Sequence, residues 1–258
     1  MDPTAKALAR TYSDRVYADP WEKVLDYRRV REYAAEQPTA GRVHVGNALE
    51  LPNERVRGWL NDVVPDPVRA INTASDHGWL DPDPHGETAA ALVELLAHVL
   101  AGGSIAAKNY VPAVTPGARV DAAEIRRAFE RVGVETNRRN ADVPGRATEI
   151  VPTRDGTVLG RCLVTMGAPT GVKTSLDALP AVIWDVPRSV RRSFAQIYVR
   201  HRGLNYKGKS TTRVQVDRPR SFIEELRELL ADVLDEQVTT SETGITISAA
   251  AVRELGVE

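Results

Sequence analysis

Two short polar runs hold most of the side chains that could act on a partner. Lys108 and Asn109 form the first, and Asn205, Lys207, Lys209, Thr211 and Arg213 form the second, each just after a glycine-terminated helix. Arg, Lys, Asn and Thr projecting from a two-stranded ribbon can bond phosphates and read base edges in a nucleic-acid groove. Successive strand residues point to opposite faces, so the segment carries this expectation better than any single position. The second run lies within a basic stretch: from Val186 to Arg220 the chain holds Arg188, Arg191, Arg192, Arg200, Arg202, Lys207, Lys209, Arg213, Arg218 and Arg220 against Asp217 alone. From Ser221 onward, Arg227 and Arg253 face a large excess of Asp and Glu. A net charge of −1 therefore hides a segregation of sign along the chain, which predicts one strongly positive zone.

Other reactive residue types point away from catalysis. His98 falls inside an apolar helix, and His44, His77, His85 and His201 lack the paired spacing of a zinc site. The single cysteine, Cys162, excludes a disulfide framework within the chain, and its apolar surroundings fit a buried thiol. No nucleophile motif, phosphate-binding glycine loop or dinucleotide fingerprint occurs, so no metal and no cofactor is expected.

The elements that must position the two runs can be read from hydrophobic period and punctuation. Residues 1–20 form a loosely held arm or a short helix. Apolar residues then recur at helical spacing from Trp21 to Glu36, and Pro38 and Gly41 end that element. The segment Val43 to Leu49, a turn at Glu50-Leu51-Pro52 and a helix from Asn53 to Leu60 have the pattern of a helix-turn-helix. Its second helix would expose Asn53, Glu54, Arg55 and Arg57 and bury Val56, Trp59 and Leu60, making Asn53, Arg55 and Arg57 candidate DNA contacts. A helix from Pro67 to Asp76 follows, and the Asp-Pro-rich segment 81–86 reads as a linker closing a first domain, 1–80.

Beyond the linker the chain looks duplicated. A core helix from Thr88 to Ala101 ends in Gly102-Gly103, and a second, Ser189 to His201, reaches Gly203 one hundred positions after Gly103. The first unit, 87–187, continues with a strand-like Ser104 to Val114, a helix Asp121 to Val132, strands near Thr148 to Val151 and Thr157, a hairpin turn at Thr153-Arg154-Asp155-Gly156 and a helix Leu159 to Met166. The second, 188–258, continues with a strand Thr211 to Val216, a helix Ser221 to Leu234 opened by a Ser221/Glu224 capping box, strands Val238 to Thr240 and Ile245 to Ser248 about a Thr243-Gly244 turn, and a helix Ala249 to Leu255.

Three motifs in order carry a resemblance. Leu95-Leu96-Ala97-His98-Val99-Leu100-Ala101-Gly102-Gly103-Ser104-Ile105 resembles the LAGLIDADG helix of homing and intein endonucleases in its common archaeal form. The run Gly167-Ala168-Pro169-Thr170-Gly171-Val172-Lys173-Thr174, then Leu179-Pro180-Ala181-Val182-Ile183-Trp184 and Arg191-Arg192-Ser193-Phe194, resembles the stretch leading to the second such helix in that family. Residues 46–80 are also similar to a small helical domain that precedes such bodies in some archaeal proteins.

The resemblance implies an α+β fold of two αββαββα repeats forming a pseudo-two-fold saddle, preceded by the small all-α domain. It implies that the two core helices pack together, each delivering a carboxylate to a metal at the DNA backbone. This chain departs from that pattern, because the acid positions hold Gly102 and Arg202. Divalent-metal hydrolysis needs hard oxygen ligands, which glycine lacks and arginine opposes. The implied scaffold is thus a nuclease without its acids, with Arg200, His201 and Arg202 turned toward phosphates and Lys173 either facing a phosphate or serving a structural role.

The expected protein is a sequence-specific double-stranded DNA-binding protein, a transcriptional regulator rather than an enzyme. Its internal repeat would let a monomer sit on a pseudo-palindromic site, with a dimer as the other arrangement. Alternatives are an endonuclease with relocated acids such as Asp177, Asp185 or Asp217, an RNA-binding maturase-like protein, or a protein-binding role for the acidic C-terminal helices. No apolar run is long enough to span a bilayer, so a cytoplasmic, nucleoid-associated protein without membrane contact is expected.

Overall fold

The computed structural model describes residues 2–257 apart from position 209. Five helices come first: α1 (Ala5–Arg10), α2 (Pro20–Glu36), α3 (Arg42–Leu49), α4 (Asn53–Leu60) and α5 (Asp66–Asp76). Their starts follow local chemistry. Thr4 accepts from the amide of Ala7, and Asp19 accepts from that of Trp21 with Pro20 at the first helical position.

The next elements are α6 (Glu87–Gly102), β1 (Gly103–Ile105), β2 (Pro112–Val114), α7 (Ala122–Arg131), β3 (Thr136–Arg139), β4 (Glu149–Pro152) and α8 (Gly156–Thr165). After the short α9 (Val182–Asp185), the same order returns as α10 (Arg188–Arg202), β5 (Gly203–Asn205), β6 (Thr212–Gln215), α11 (Arg220–Val233), β7 (Val238–Ser241), β8 (Gly244–Ile247) and α12 (Ala249–Leu255). Each αββαββα unit holds one antiparallel sheet, ordered β1-β2-β4-β3 in the first and β5-β6-β8-β7 in the second. The α+β class is thereby established.

The core helix α6 is apolar on all sides, and every residue from Leu95 to Ala101 is buried. Such a helix belongs at the centre of a fold. It packs along α10, which turns Phe194, Ala195, Ile197, Tyr198 and Val199 inward. Gly103 opens β1 where no side chain fits, since an added Cβ would stand 2.3 Å from the carbonyl oxygen of Ala113. The register pairs Gly103 with Val114 and, in the second sheet, Gly203 with Val214. Val114, Ile150, Val214, Ile245 and Ile247 join the core from the inner sheet faces, and Cys162 lies buried among them.

Several expectations need correction. The strand-like stretch 104–114 is two strands joined by a turn, and Thr157 lies within α8. The turn at 153–156 leads from β4 into α8, with Asp155 left-handed at the helix entrance, and so closes no hairpin. β3 replaces the expected strand at 157, pairing antiparallel with β4 from Thr136 opposite Pro152 to Arg139 opposite Glu149. Pro219 precedes α11, and the Ser221 hydroxyl donates to the carbonyl of Asp177 instead of forming a capping box.

Segment 81–86 does not divide the apolar core. Leu8, Ala9, Val68, Ala70, Ile71, Ala74 and Trp79 share one cluster with the two repeated units, and only Val30, Val45, Val56 and Trp59 form a separate one under α2, α3 and α4. Trp79 also donates from Nε1 to the carbonyl of Val132 at 2.9 Å. The first twenty residues are held as well: Arg161 lies between the rings of Tyr12 and Tyr110, 3.8 Å from each centroid, and donates to Thr11. Replacing Arg161 with Met should remove about 1–2 kcal/mol of stability and speed proteolysis near Thr11. Urea unfolding and limited proteolysis measure the two effects, and an unchanged midpoint would deny the guanidinium this anchoring role. No helix among the described residues is long and apolar enough to cross a membrane.

Candidate nucleic-acid interface at the core-helix ends

The two core helices present their C-terminal ends side by side, and what occupies that meeting point follows from one missing side chain. An added Cβ on Gly102 would come within 2.2 Å of the His201 imidazole, so glycine in α6 makes the space that His201 of α10 fills. His98, one turn back along α6 and 2% exposed, shares a 2.9 Å hydrogen bond between its Nδ1 and His201 Nε2. The rings meet edge to face, at 88° and 5.2 Å between centroids. Burial, then His201 and Arg200, push His98 down to about 3. Burial again, then Arg202, Arg200 and Lys173, push His201 down to about 4. Both rings are therefore neutral near pH 7, one nitrogen donating and the other accepting.

Helix α6 ends with carbonyl oxygens that lack helical partners. Lys173 adds a donor there: its ammonium donates to Leu100 and to Val99, which also accepts from the Gly103 amide, at 3.3 Å each, and to Gly103 at the start of β1. The loop before it is fixed by a bridge between Ile105 and Thr170 and by the Gly171 amide donating to Ile105 at 2.8 Å. Arg218 donates to Leu100 at 2.8 Å from the second unit, its guanidinium 4.4 Å from the Phe222 ring centre. Cations at a helix C-terminus are favourable because the macrodipole is negative there. Burial, Arg202 and Arg218 lower Lys173 to about 8.

Three residues expected to face phosphates are thus engaged inside the protein. Lys173 caps α6, and His201 fills the space beside Gly102. Arg200 bonds Glu124 of α7 and the carbonyl of Arg119, both at 2.5 Å. The fourth, Arg202, is half-buried and has neither a hydrogen bond nor an ion pair among the described residues.

The positive zone read along the sequence is also largely neutralised in space. Arg191 pairs with Asp232 at 2.7 Å, and Arg220 pairs with Glu224 at 2.8 Å. Arg188 donates to the carbonyl of Asp232, while Arg192 donates to those of Val233 and Glu254, where α11 and α12 end. The basic face of α10 thus neutralises the acidic helices that follow it, which narrows the outward charge to the hairpins and their neighbours.

At those hairpins Lys108 and Asn109 occupy the exposed β1–β2 turn, and Lys207 occupies the exposed β5–β6 turn. Lys209 lies outside the described residues. Arg213 stands on the outer sheet face, opposite in direction to buried Val214, and donates to the hydroxyls of Ser241 and Thr243. Asn205 turns the other way, its amide oxygen accepting from Thr212 at 2.7 Å, and Thr211 is half-buried just before β6. Alternation thus sets exposed Asn205 on the face opposite Arg213, while Thr211 shares the parity of Arg213.

In the N-terminal helices the α3–turn–α4 pair exists, yet two of its three expected contacts are occupied. Asn53 packs its side-chain oxygen where a Cβ on Gly46 would stand. Arg55 lies 4.7 Å from the Tyr17 ring centre and donates to its hydroxyl at 2.9 Å, beneath the segment before α2. Arg57 is exposed, 3.8 Å from Glu54.

Sequence reasoning missed Arg138 and Arg139 on the edge strand β3 and Arg146 in the following loop, all exposed. Arg139 pairs with Glu149 at 2.9 Å. The signal was present as an Arg-rich run between two apolar segments, since charged side chains are a common guard of exposed strand edges. Also missed was the bracing of each core-helix end by an arginine of the opposite unit. Arg218 reaches α6 at Leu100, and Arg119 reaches Gly203, where an added Cβ would stand 3.0 Å from its Nη1.

Among the described residues no three His, Cys, Asp or Glu side chains are placed to hold a metal ion. No family model and no curated protein matches this chain.

Proposed function

We propose that the chain is a sequence-specific double-stranded DNA-binding protein that regulates transcription, built on a scaffold resembling the LAGLIDADG endonucleases and acting without cleavage. The observation that carries this reading is the occupant of the core-helix meeting point. Where the resemblance calls for two carboxylates, this chain has Gly102 covered by His201, and Arg202. Supporting it, the αββαββα order occurs twice, and α6 packs along α10. The paired units can act as a monomer on a pseudo-palindromic site.

Affinity on this reading comes from Lys108, Lys207, Arg213 and Arg202, with Arg138 and Arg146 extending the surface, and Arg57 offers a contact from the N-terminal helices. Phosphate contacts release counterions, so binding weakens steeply with salt. Selection of duplexes from a random pool, followed by footprinting at moderate salt, is expected to return a defined site. Combined Lys108→Glu and Lys207→Glu should weaken binding to that site about tenfold or more and flatten the salt dependence. Incubation of the selected duplex with magnesium or manganese should leave it intact. No selected site would overturn the reading, cut duplex would overturn its non-enzymatic half, and preference for structured RNA would replace the partner.

A further inference from the structure

A cavity of about 160 Å³ opens between the end of α10, the loop holding Lys173 and the turn from β6 into α11. Its walls include Lys173, Tyr198, Arg202, Asp217 and Arg218, so three cations face one carboxylate. Tyr198 is 1% exposed and closes its inner side.

The donors here are only partly used. Lys173 spends its hydrogen bonds on the carbonyls of α6 and contributes charge alone. Arg218 gives one Nη2 bond to Leu100 and faces the Tyr198 hydroxyl, and its Nη1 is buried without a hydrogen-bond partner among the described residues. Arg202 has no hydrogen bond or ion pair among the described residues. A buried N–H without a partner is costly, more so when charged, and natural structures rarely leave one unanswered. Burial first, and repulsion among the three cations second, make Lys173 and Arg218 hold their protons less firmly than usual.

We propose that this cavity is a binding site for one phosphate group, held by Arg202 in the positive field of Lys173 and Arg218. Guanidinium groups suit the task because their planar forks match phosphate oxygens, and a dianion would offset the repulsion among the cations. The site is particular to the second unit, since the position matching Arg202 in the first is Gly102. Its chemistry fits a backbone phosphate or a small phosphorylated solute, and it does not depend on the DNA-binding reading.

Titration of the full chain with inorganic phosphate, followed by calorimetry and by thermal unfolding with chloride as the ionic-strength control, tests the site. Saturable binding with one equivalent is expected, together with a rise in Tm. Arg202→Gln should weaken the binding at least tenfold without loss of fold, because Arg202 makes no hydrogen bond or ion pair among the described residues. Arg218→Gln is a second variant, read at a temperature where circular dichroism shows it folded, and should weaken binding similarly. A duplex arm separates the sources. If the phosphate belongs to nucleic acid, inorganic phosphate competes with the selected duplex and Arg218→Gln weakens both; if it belongs to a solute, phosphate does not compete with the duplex, and Arg218→Gln loses phosphate while duplex affinity stays the same. Absence of saturable phosphate binding, or binding that Arg202→Gln leaves unchanged, would overturn the proposal whether or not the chain binds DNA.

Discussion

Gly102→Asp, the substitution that would place a carboxylate at the end of α6, is expected to destabilise the protein by about 2–4 kcal/mol. The cause is steric first, since the new Cβ would stand 2.2 Å from the His201 ring. Either His201 moves out of the helix interface or α6 and α10 separate. An electrostatic cost follows, because the imidazole pair is neutral and the carboxylate would be half-buried beside it. Gly102→Ala isolates the steric part and should cost about 1–3 kcal/mol. His201→Ala removes the obstruction, so the double variant should be more stable than the sum of the single effects predicts, with a coupling of about 1–3 kcal/mol. Urea unfolding of the four proteins measures it. Additive effects would mean that the two positions do not contest the same space. An acid therefore does not fit at this position by one substitution; glycine at 102 and histidine at 201 are one structural decision.

That decision illustrates what was legible in the sequence and what was not. Helical period and glycine stops located α2, α4, α6, α10 and α11 within a few residues, because each buries a face that writes itself into the residue order. β3 escaped because its residues Thr136, Asn137, Arg138 and Arg139 bury almost nothing, which leaves no alternation to detect. The Thr153–Gly156 turn carries hairpin residues, yet its left-handed Asp155 serves a helix entrance, and glycine follows because Pro152 stands where a Cβ on Gly156 would go. The linker looked like a boundary because Pro and Gly mark exposed chain, whereas the sharing of a core by Leu8, Ala74 and Trp79 with α6 is a tertiary fact.

Charge was the least legible quantity. Reading Arg188, Arg191 and Arg192 as a surface excess assumed that neighbours in sequence set the local field. In the fold they meet Asp232 and the carbonyls that close α11 and α12, about forty to sixty positions away. The candidate site had the same property. Lys173 was recognisable as a distinctive lysine, but whether its ammonium faces a ligand or a helix end depends on where α6 stops. Arg202 is the member of its basic triplet left without an internal partner among the described residues, and the sequence had no means of separating it from Arg200 two positions away.

Lowering the pH from 6.5 to 5 is expected to remove on the order of 3 kcal/mol of stability through the His98–His201 pair. Folding holds both imidazoles well below their ordinary value of 6.5, at about 3 and about 4, through burial first and neighbouring charge second. The unfolded chain then binds more protons than the folded one throughout the window between those values and 6.5. Stability must rise with pH across that window, because its slope follows the proton excess of the unfolded state, about 1.4 kcal/mol per pH unit for each group. The contribution is fully present above 6.5 and is lost progressively as pH falls toward 4 and 3. The charged groups that weigh on the pair are Arg200, Arg202 and Lys173, all cations, and none of them compensates a proton on either ring. The combined His98→Gln and His201→Gln variant retains a donor and an acceptor but cannot titrate, so its unfolding free energy should vary much less than the wild-type value between pH 5 and 6.5. Urea denaturation of both proteins across that range measures the difference directly. Parallel pH profiles would mean that the two rings take up protons in the folded protein as readily as in the unfolded chain, and that the core helices tolerate charge where they meet.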